Sequence, residues 1–71
     1  MPRLPRVSGA DAIRALERLG FARIRQSGSH VFMRRGQHAC VVPMHSELKV
    51  GTLAGVLRQA GVAPDEFIAR L

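Results

Sequence analysis

A chain of 71 residues has room for one small domain, spanning 1–71, because a chain of this size buries only about 60% of its unfolded surface; a two-domain enzyme with a large cleft is excluded. With 46% hydrophobic and 23% charged residues a modest core should form despite a net charge of +6, and intrinsic disorder is not expected. The single cysteine, Cys40, rules out an internal disulfide framework and multi-cysteine zinc staples, no apolar run approaches the roughly 18 residues of a membrane span, and Met1 to Val7 has no apolar signal core, so a soluble cytoplasmic protein is expected.

An extended lead, Pro2 to Arg6, precedes Ser8, and Ser8 with Asp11 resembles a capping box that has aspartate in the glutamate position. Ala12, Ile13, Leu16 and Leu19 recur at helical spacing, which predicts a first helix from about Gly9 to Leu19, ended by Gly20. Phe21 to Gln26 alternates like a strand, Ser27-Gly28-Ser29 is a turn, and His30 to Arg34 is a second strand. Arg35-Gly36-Gln37 makes the next turn, and His38 to Val42 a third strand closed by Pro43. Val50, Leu53, Ala54, Leu57 and Ala60 follow the three-four rhythm of a second helix that stops at Gly61. Pro64, Asp65 and Glu66 suit the first turn of a short third helix carrying Phe67, Ile68 and Leu71. The expected class is α+β, in the order αβββα with a short C-terminal helix. A three-stranded antiparallel sheet would carry both main helices on one face and leave the other to water or a ligand.

The charge is unevenly placed. Residues 1 to 35 hold eight arginines against Asp11 and Glu17, whereas residues 36 to 71 balance Lys49, Arg58 and Arg70 against Glu47, Asp65 and Glu66. The whole excess therefore lies in the first half, and ten of the eleven basic residues are arginine, whose planar fork matches phosphate bidentately. A polyanion such as nucleic acid is the natural partner, set against the plainer reading of a solvated, solubilising surface. A membrane surface fits less well, since the arginines do not gather on one face of a strongly amphipathic helix.

Little else offers chemistry. His38 and His45 are seven residues apart, a spacing that suits no metal site, and no cofactor is implied. Cys40 sits in an apolar strand stretch and reads as small core filler. His30 is the most conspicuous candidate, because it follows Gly28-Ser29 at a tight turn with Arg23, Arg25 and Arg34 on adjoining strands. An imidazole exchanges protons near neutral pH, and guanidinium groups favour the extra negative charge of a pentacovalent phosphorane. The bland alternative is a strand-start histidine with no catalytic part. Register decides how these groups converge. A three-residue turn over Ser27 to Ser29 places Ile24 opposite Phe32 and Gln26 opposite His30, whereas a two-residue turn on Gly28-Ser29 places Arg25 opposite Phe32 and Arg23 opposite Arg34. The first is preferred here, because a chain with three aromatic residues can hardly leave Phe32 outside its core; His30 then points toward the helix layer.

Gly20-Phe21, Gly28-Ser29-His30 with Phe32, Val42-Pro43-x-His45, Gly51-Thr52-Leu53, Leu57-Arg58-Gln59-Ala60-Gly61 and Glu66-Phe67 occur in an order and spacing that resembles the HicA toxins, also called the YcfA-like family. Each motif alone is weak, but together they cover almost the entire chain. The resemblance implies an αβββα fold like that of double-stranded-RNA-binding domains, and a toxin of a toxin-antitoxin pair that cleaves mRNA. It implies His30 as the active residue, with Gly28, Ser29 and His45 supporting it, and an inhibitory HicB antitoxin as partner. Met44, Ala54 and Gly55 depart from the pattern where basic or polar residues are common, so RNA grip should fall on Arg23, Arg25, Arg34 and Lys49. RNA supplies its own nucleophile in the 2′-hydroxyl, so a metal-free mechanism is expected, and the antitoxin should be acidic to match the basic surface. With no tryptophan or tyrosine, and all three phenylalanines wanted for the core, base-stacking platforms are scarce and phosphate and shape contacts should dominate. The rivals are a non-catalytic RNA-binding module of the same fold, and an interaction domain whose basic face binds only an acidic protein.

Overall fold

Ser8 sets the start of the first helix, α1 (Gly9–Arg18). Its Oγ accepts the backbone N–H of Asp11 at 3.0 Å, and the Asp11 carboxylate accepts the Ser8 N–H at 3.4 Å, which completes the capping box. The Ser8 side chain and then the Ser8 backbone, with Arg14 nearby, hold the Asp11 carboxyl below its ordinary pKa. The computed structural model describes residues 3–71, so the lead expected from Pro2 begins outside the described residues. After α1 come β1 (Ala22–Ser27), β2 (His30–Arg35), β3 (His38–Pro43), α2 (Val50–Ala60) and α3 (Pro64–Ile68). The element order is therefore αβββα with a short C-terminal helix, and the strands form one antiparallel sheet in the order β1-β2-β3.

The core lies between one face of the sheet and the helices. Ala12, Ile13, Ala15 and Leu16 of α1 meet Val31 and Met33 of β2, Cys40 and Val42 of β3, and Leu53, Val56, Leu57 and Ala60 of α2, all of them buried. Phe21, Leu48, Val62 and Phe67 close the ends of this layer. Proline in the first turn of α3 and the Glu66 carboxylate, which accepts the Ala63 N–H at 3.1 Å, start that helix and turn Phe67 inward. Cys40 fills a buried gap as expected, and burial pushes its thiol pKa up to about 11, so it stays protonated at neutral pH.

The register corrects one expectation. Ser27 pairs with His30, Gln26 with Val31 and Arg25 with Phe32, so the turn is the two-residue Gly28-Ser29 and not Ser27 to Ser29. The second hairpin repeats this, with Arg35 paired to His38 around Gly36-Gln37. Gly28 has φ +57° and no residue other than glycine has positive φ among the described residues. A positive φ at the first central position alone is the type II′ pattern, which matches the twist of the flanking strands. The other pairing in that scheme, Arg23 opposite Arg34, is displaced by a bulge between Arg23 and Arg25. Arg23 thus faces Met33, and Ala22 faces Arg34.

With this register Val31 and Met33 point into the helix layer, and Phe32 is half-buried on the opposite, open face with His30 and Arg34. The expectation that Phe32 belongs to the core and His30 to the helix side is therefore overturned. The physical reason lies in β2 itself: it has apolar residues at both alternations, and the pair Val31 and Met33 fills the space that one phenylalanine was expected to fill. All six residues of β1 are exposed, because it is an edge strand whose faces the helices do not cover.

Candidate functional site

Both hairpin turns and the open face place the chemistry-bearing side chains. His30 is exposed at the start of β2, directly after the Gly28-Ser29 turn, with Ser27 opposite it on β1 and Pro43 opposite it on β3. No side-chain hydrogen bond occupies its imidazole among the described residues. Strand alternation then sets Phe32 about 6.6 Å further along the same face and Arg34 the same distance beyond. Arg25, opposite Phe32, lies diagonally from His30 across the β1–β2 pair, and its guanidinium Cζ stands 4.0 Å from the Phe32 ring centroid. Arg34 is turned toward the second hairpin, where its Nε donates to the Gly36 carbonyl at 3.1 Å.

The loop after β3 is tied to the same end of the molecule by backbone bonds. The Met44 N–H donates to the Ser29 carbonyl at 2.6 Å, and the Gly9 N–H donates to the His45 carbonyl at 2.9 Å. Leu48 is buried and its N–H donates to the Val7 carbonyl at 2.7 Å, which leaves His45 and Ser46 exposed between two anchored points. This loop therefore runs beside the turn that presents His30. Lys49 is exposed at the N-cap of α2.

The three arginines expected to adjoin His30 do not all do so. Arg25 and Arg34 share its face, but Arg23 turns to the helix side, where its Nε stands 3.4 Å from the Glu17 carboxylate of α1. The bulge causes the separation, since it moves Arg23 opposite the inward-facing Met33. Arg35 also lies on the helix side, stacked at 4.7 Å on Phe21 and bonded to the Leu19 carbonyl at 2.8 Å.

Two residues of this face escaped the sequence reading. Phe32 is expected in the core with Ile24 opposite it, yet both lie on the open face, Ile24 59% exposed at the bulge. With Arg25, Arg34 and Val41 they line an open concavity of about 660 Å³ on the sheet. The signal available for Phe32 was its flanks: His30 and Arg34 share its alternation, whereas Val31 and Met33 are apolar together. The bulge left no comparable signal.

No cluster of three or more histidine, cysteine or carboxylate side chains is gathered in ligand geometry among the described residues. Among the same residues no helix is long and apolar enough to cross a membrane. No curated protein matches the chain. The family model described as the HicA toxin of bacterial toxin-antitoxin matches residues 9–62, which runs from the first residue of α1 past the end of α2 and takes in both hairpins and the His30 turn. The chain belongs to the HicA toxin family and is the toxin half of a toxin-antitoxin pair, whose counterpart is a HicB-like antitoxin.

Proposed function

We propose that this toxin is an endoribonuclease that stops growth by cleaving mRNA, with His30 as the catalytic base and no metal ion or cofactor in the reaction. The observation that carries this reading is the position of His30. It is an exposed imidazole at a hairpin end, free of any structural bond among the described residues, on the one sheet face that the helices leave open. A histidine kept for packing would be covered, and this one is not.

The chemistry follows from RNA itself. His30 takes the proton of a 2′-hydroxyl, and the 2′-oxygen attacks the adjacent phosphorus. The phosphorus–5′-oxygen bond then breaks, and the departing 5′-oxygen takes a proton from water. The product is a 2′,3′-cyclic phosphate, which hydrolysis opens to a 3′-phosphate. Arg25 is the nearest arginine by register on this face, and its long side chain supplies positive charge to the phosphorane; Arg34 holds the strand further along. Gly28 and Ser29 shape the turn that presents His30, the His45 segment runs beside that turn, and Lys49, exposed at the N-cap of α2, adds positive charge for the RNA backbone. Arg23, on the helix side, contributes at a distance through the general positive field. The expected setting is the cytoplasm, where mRNA is met.

Inducible expression of wild type and His30→Ala, with growth and RNA integrity followed together, tests this reading. Wild type should arrest growth and fragment mRNA, while the variant, folded by circular dichroism, should do neither. Equal toxicity with intact RNA from both would remove the nuclease reading and leave a non-catalytic RNA-binding module.

The inhibitor should be an acidic HicB-like antitoxin that covers His30 and Arg25, so RNA and antitoxin compete for one face. RNA binding should fall steeply with salt, and the protein complex, with apolar contacts beneath its charges, should weaken less. A ternary complex in which both bind at full affinity would refute the shared site.

A further inference from the structure

We propose that the open sheet face reads unpaired bases: a base of single-stranded RNA stacks on the Arg25–Phe32 pair beside His30, and the substrate is single-stranded and not duplex. The proposal rests on the ribonuclease reading for its ligand class and adds to it the form of the RNA and the residues that recognise it.

The face has an apolar centre and a basic rim. Ile24, 59% exposed, and the half-buried Phe32 and Val41 supply the centre, with Arg25 and Arg34 on either side. No carboxylate lines the concavity, so its charge suits an anionic partner. An aromatic ring carrying a guanidinium plane at 4.0 Å is a platform on which any base can stack, because every base has a π-face. Arg34 spends only its Nε on the Gly36 carbonyl, and its terminal nitrogens remain for a phosphate. At the β3 edge, Gln59 accepts the Val41 N–H through Oε1 at 3.3 Å, which leaves its amide N–H groups for a base edge.

Geometry separates the two forms of RNA. In a duplex the bases are stacked on each other and the outside offers phosphates and 2′-hydroxyls, so a ring in a shallow concavity has nothing to stack on. In a single strand the bases splay, and the two-residue strand step of about 6.6 Å sets the Phe32 platform one position along from His30. A base on the Arg25–Phe32 pair would thereby anchor the strand next to the phosphate that His30 serves.

The test uses a short 2′-O-methyl single strand carrying one 2-aminopurine, whose emission falls when it stacks. Such a strand cannot be cleaved, so the readout does not depend on catalysis. Wild type should bind it and quench the emission, and should bind a duplex of the same sequence without quenching. Phe32→Ala, checked by circular dichroism, should lose the quench and bind the single strand about tenfold more weakly, with duplex binding unchanged. Phe32→Tyr keeps a ring and should restore both. The proposal is overturned if folded Phe32→Ala binds and quenches like wild type, or if single-strand and duplex binding fall together. It is equally overturned if the variant keeps the strand but releases the antitoxin, which would make the face a protein-docking surface alone. Should wild type bind and quench the strand yet never cut RNA, the ribonuclease reading falls and the base platform stands.

Discussion

An RNA strand carrying a single 2′-deoxy nucleotide at the cleaved position should resist the toxin completely, while the same strand with its 2′-hydroxyl intact should be cut in the presence of EDTA. Both results follow from where the nucleophile comes from. If the attacking oxygen belongs to the RNA, its removal leaves His30 with no proton to take, whereas a water nucleophile activated by a metal ion would be indifferent to the sugar and sensitive to the chelator. Competition of the deoxy strand against cleavage of the intact strand serves as the control for binding. End analysis of the intact substrate should give 2′,3′-cyclic or 3′-phosphate termini. A positioned base contributes about 10²- to 10⁴-fold, so His30→Ala should lose rate within that range on the same strand. Cleavage of the deoxy strand, or loss of activity in EDTA that magnesium restores, would overturn the metal-free mechanism.

Gly9→Ala should be the most damaging small substitution in the chain, and its sign is the informative part. Replacing glycine by alanine within a helix ordinarily stabilises by about 0.5–1 kcal/mol, because glycine loses more backbone freedom on folding. At Gly9 the added Cβ would overlap the Pro43 carbonyl oxygen and stand 2.9 Å from the Met44 Cα, both of them backbone atoms with no flexible end to move aside. The Gly9 N–H is also bonded to the His45 carbonyl, so the first turn of α1 cannot lift away without loss of that bond. Overpacking of this kind costs about 3 kcal/mol, a large part of the roughly 4–10 kcal/mol that holds a domain of this length. Gly55→Ala in α2 is the control, since the nearest atom to its added Cβ is the Arg58 Nη2 at an ordinary 3.6 Å, and it should gain about 0.5–1 kcal/mol. Urea midpoints of the three proteins measure both effects. A Gly9→Ala midpoint equal to or above wild type would show that the β3 end yields to α1. Because Pro43 pairs with His30, the same variant should also lose toxicity where it still folds.

The elements themselves were legible in the residues, and the reason is that local chemistry specifies them. Ser8 and Asp11 announce the cap of α1, Gly61 ends α2, and Pro64 with Glu66 opens α3, each through bonds made within a few residues. The prominence of His30 after Gly28-Ser29 was equally local. Which face each side chain joins was not local. In β2 the run His-Val-Phe-Met-Arg-Arg has apolar residues at both alternations, and one residue of slip sends either Phe32 or the pair Val31 and Met33 to the helices. Glycine at the first central position of both turns carried the deciding information, since that placement suits a two-residue II′ hairpin. Burial of an aromatic residue argues for the other register, and the pairing of Arg25 with Phe32 overrides it. The bulge at Ile24 had no local signature, because only the pairing of β1 with β2 makes a residue extra. Composition and spacing therefore determined the helices, the three strands, the basic first half and the candidate histidine. Only tertiary pairing decided that Arg23 turns to Glu17, that Arg25 lies on Phe32, and that His30 shares its open face with both members of that pair. A strand's two faces differ by a single step of register, and long-range contacts choose the step.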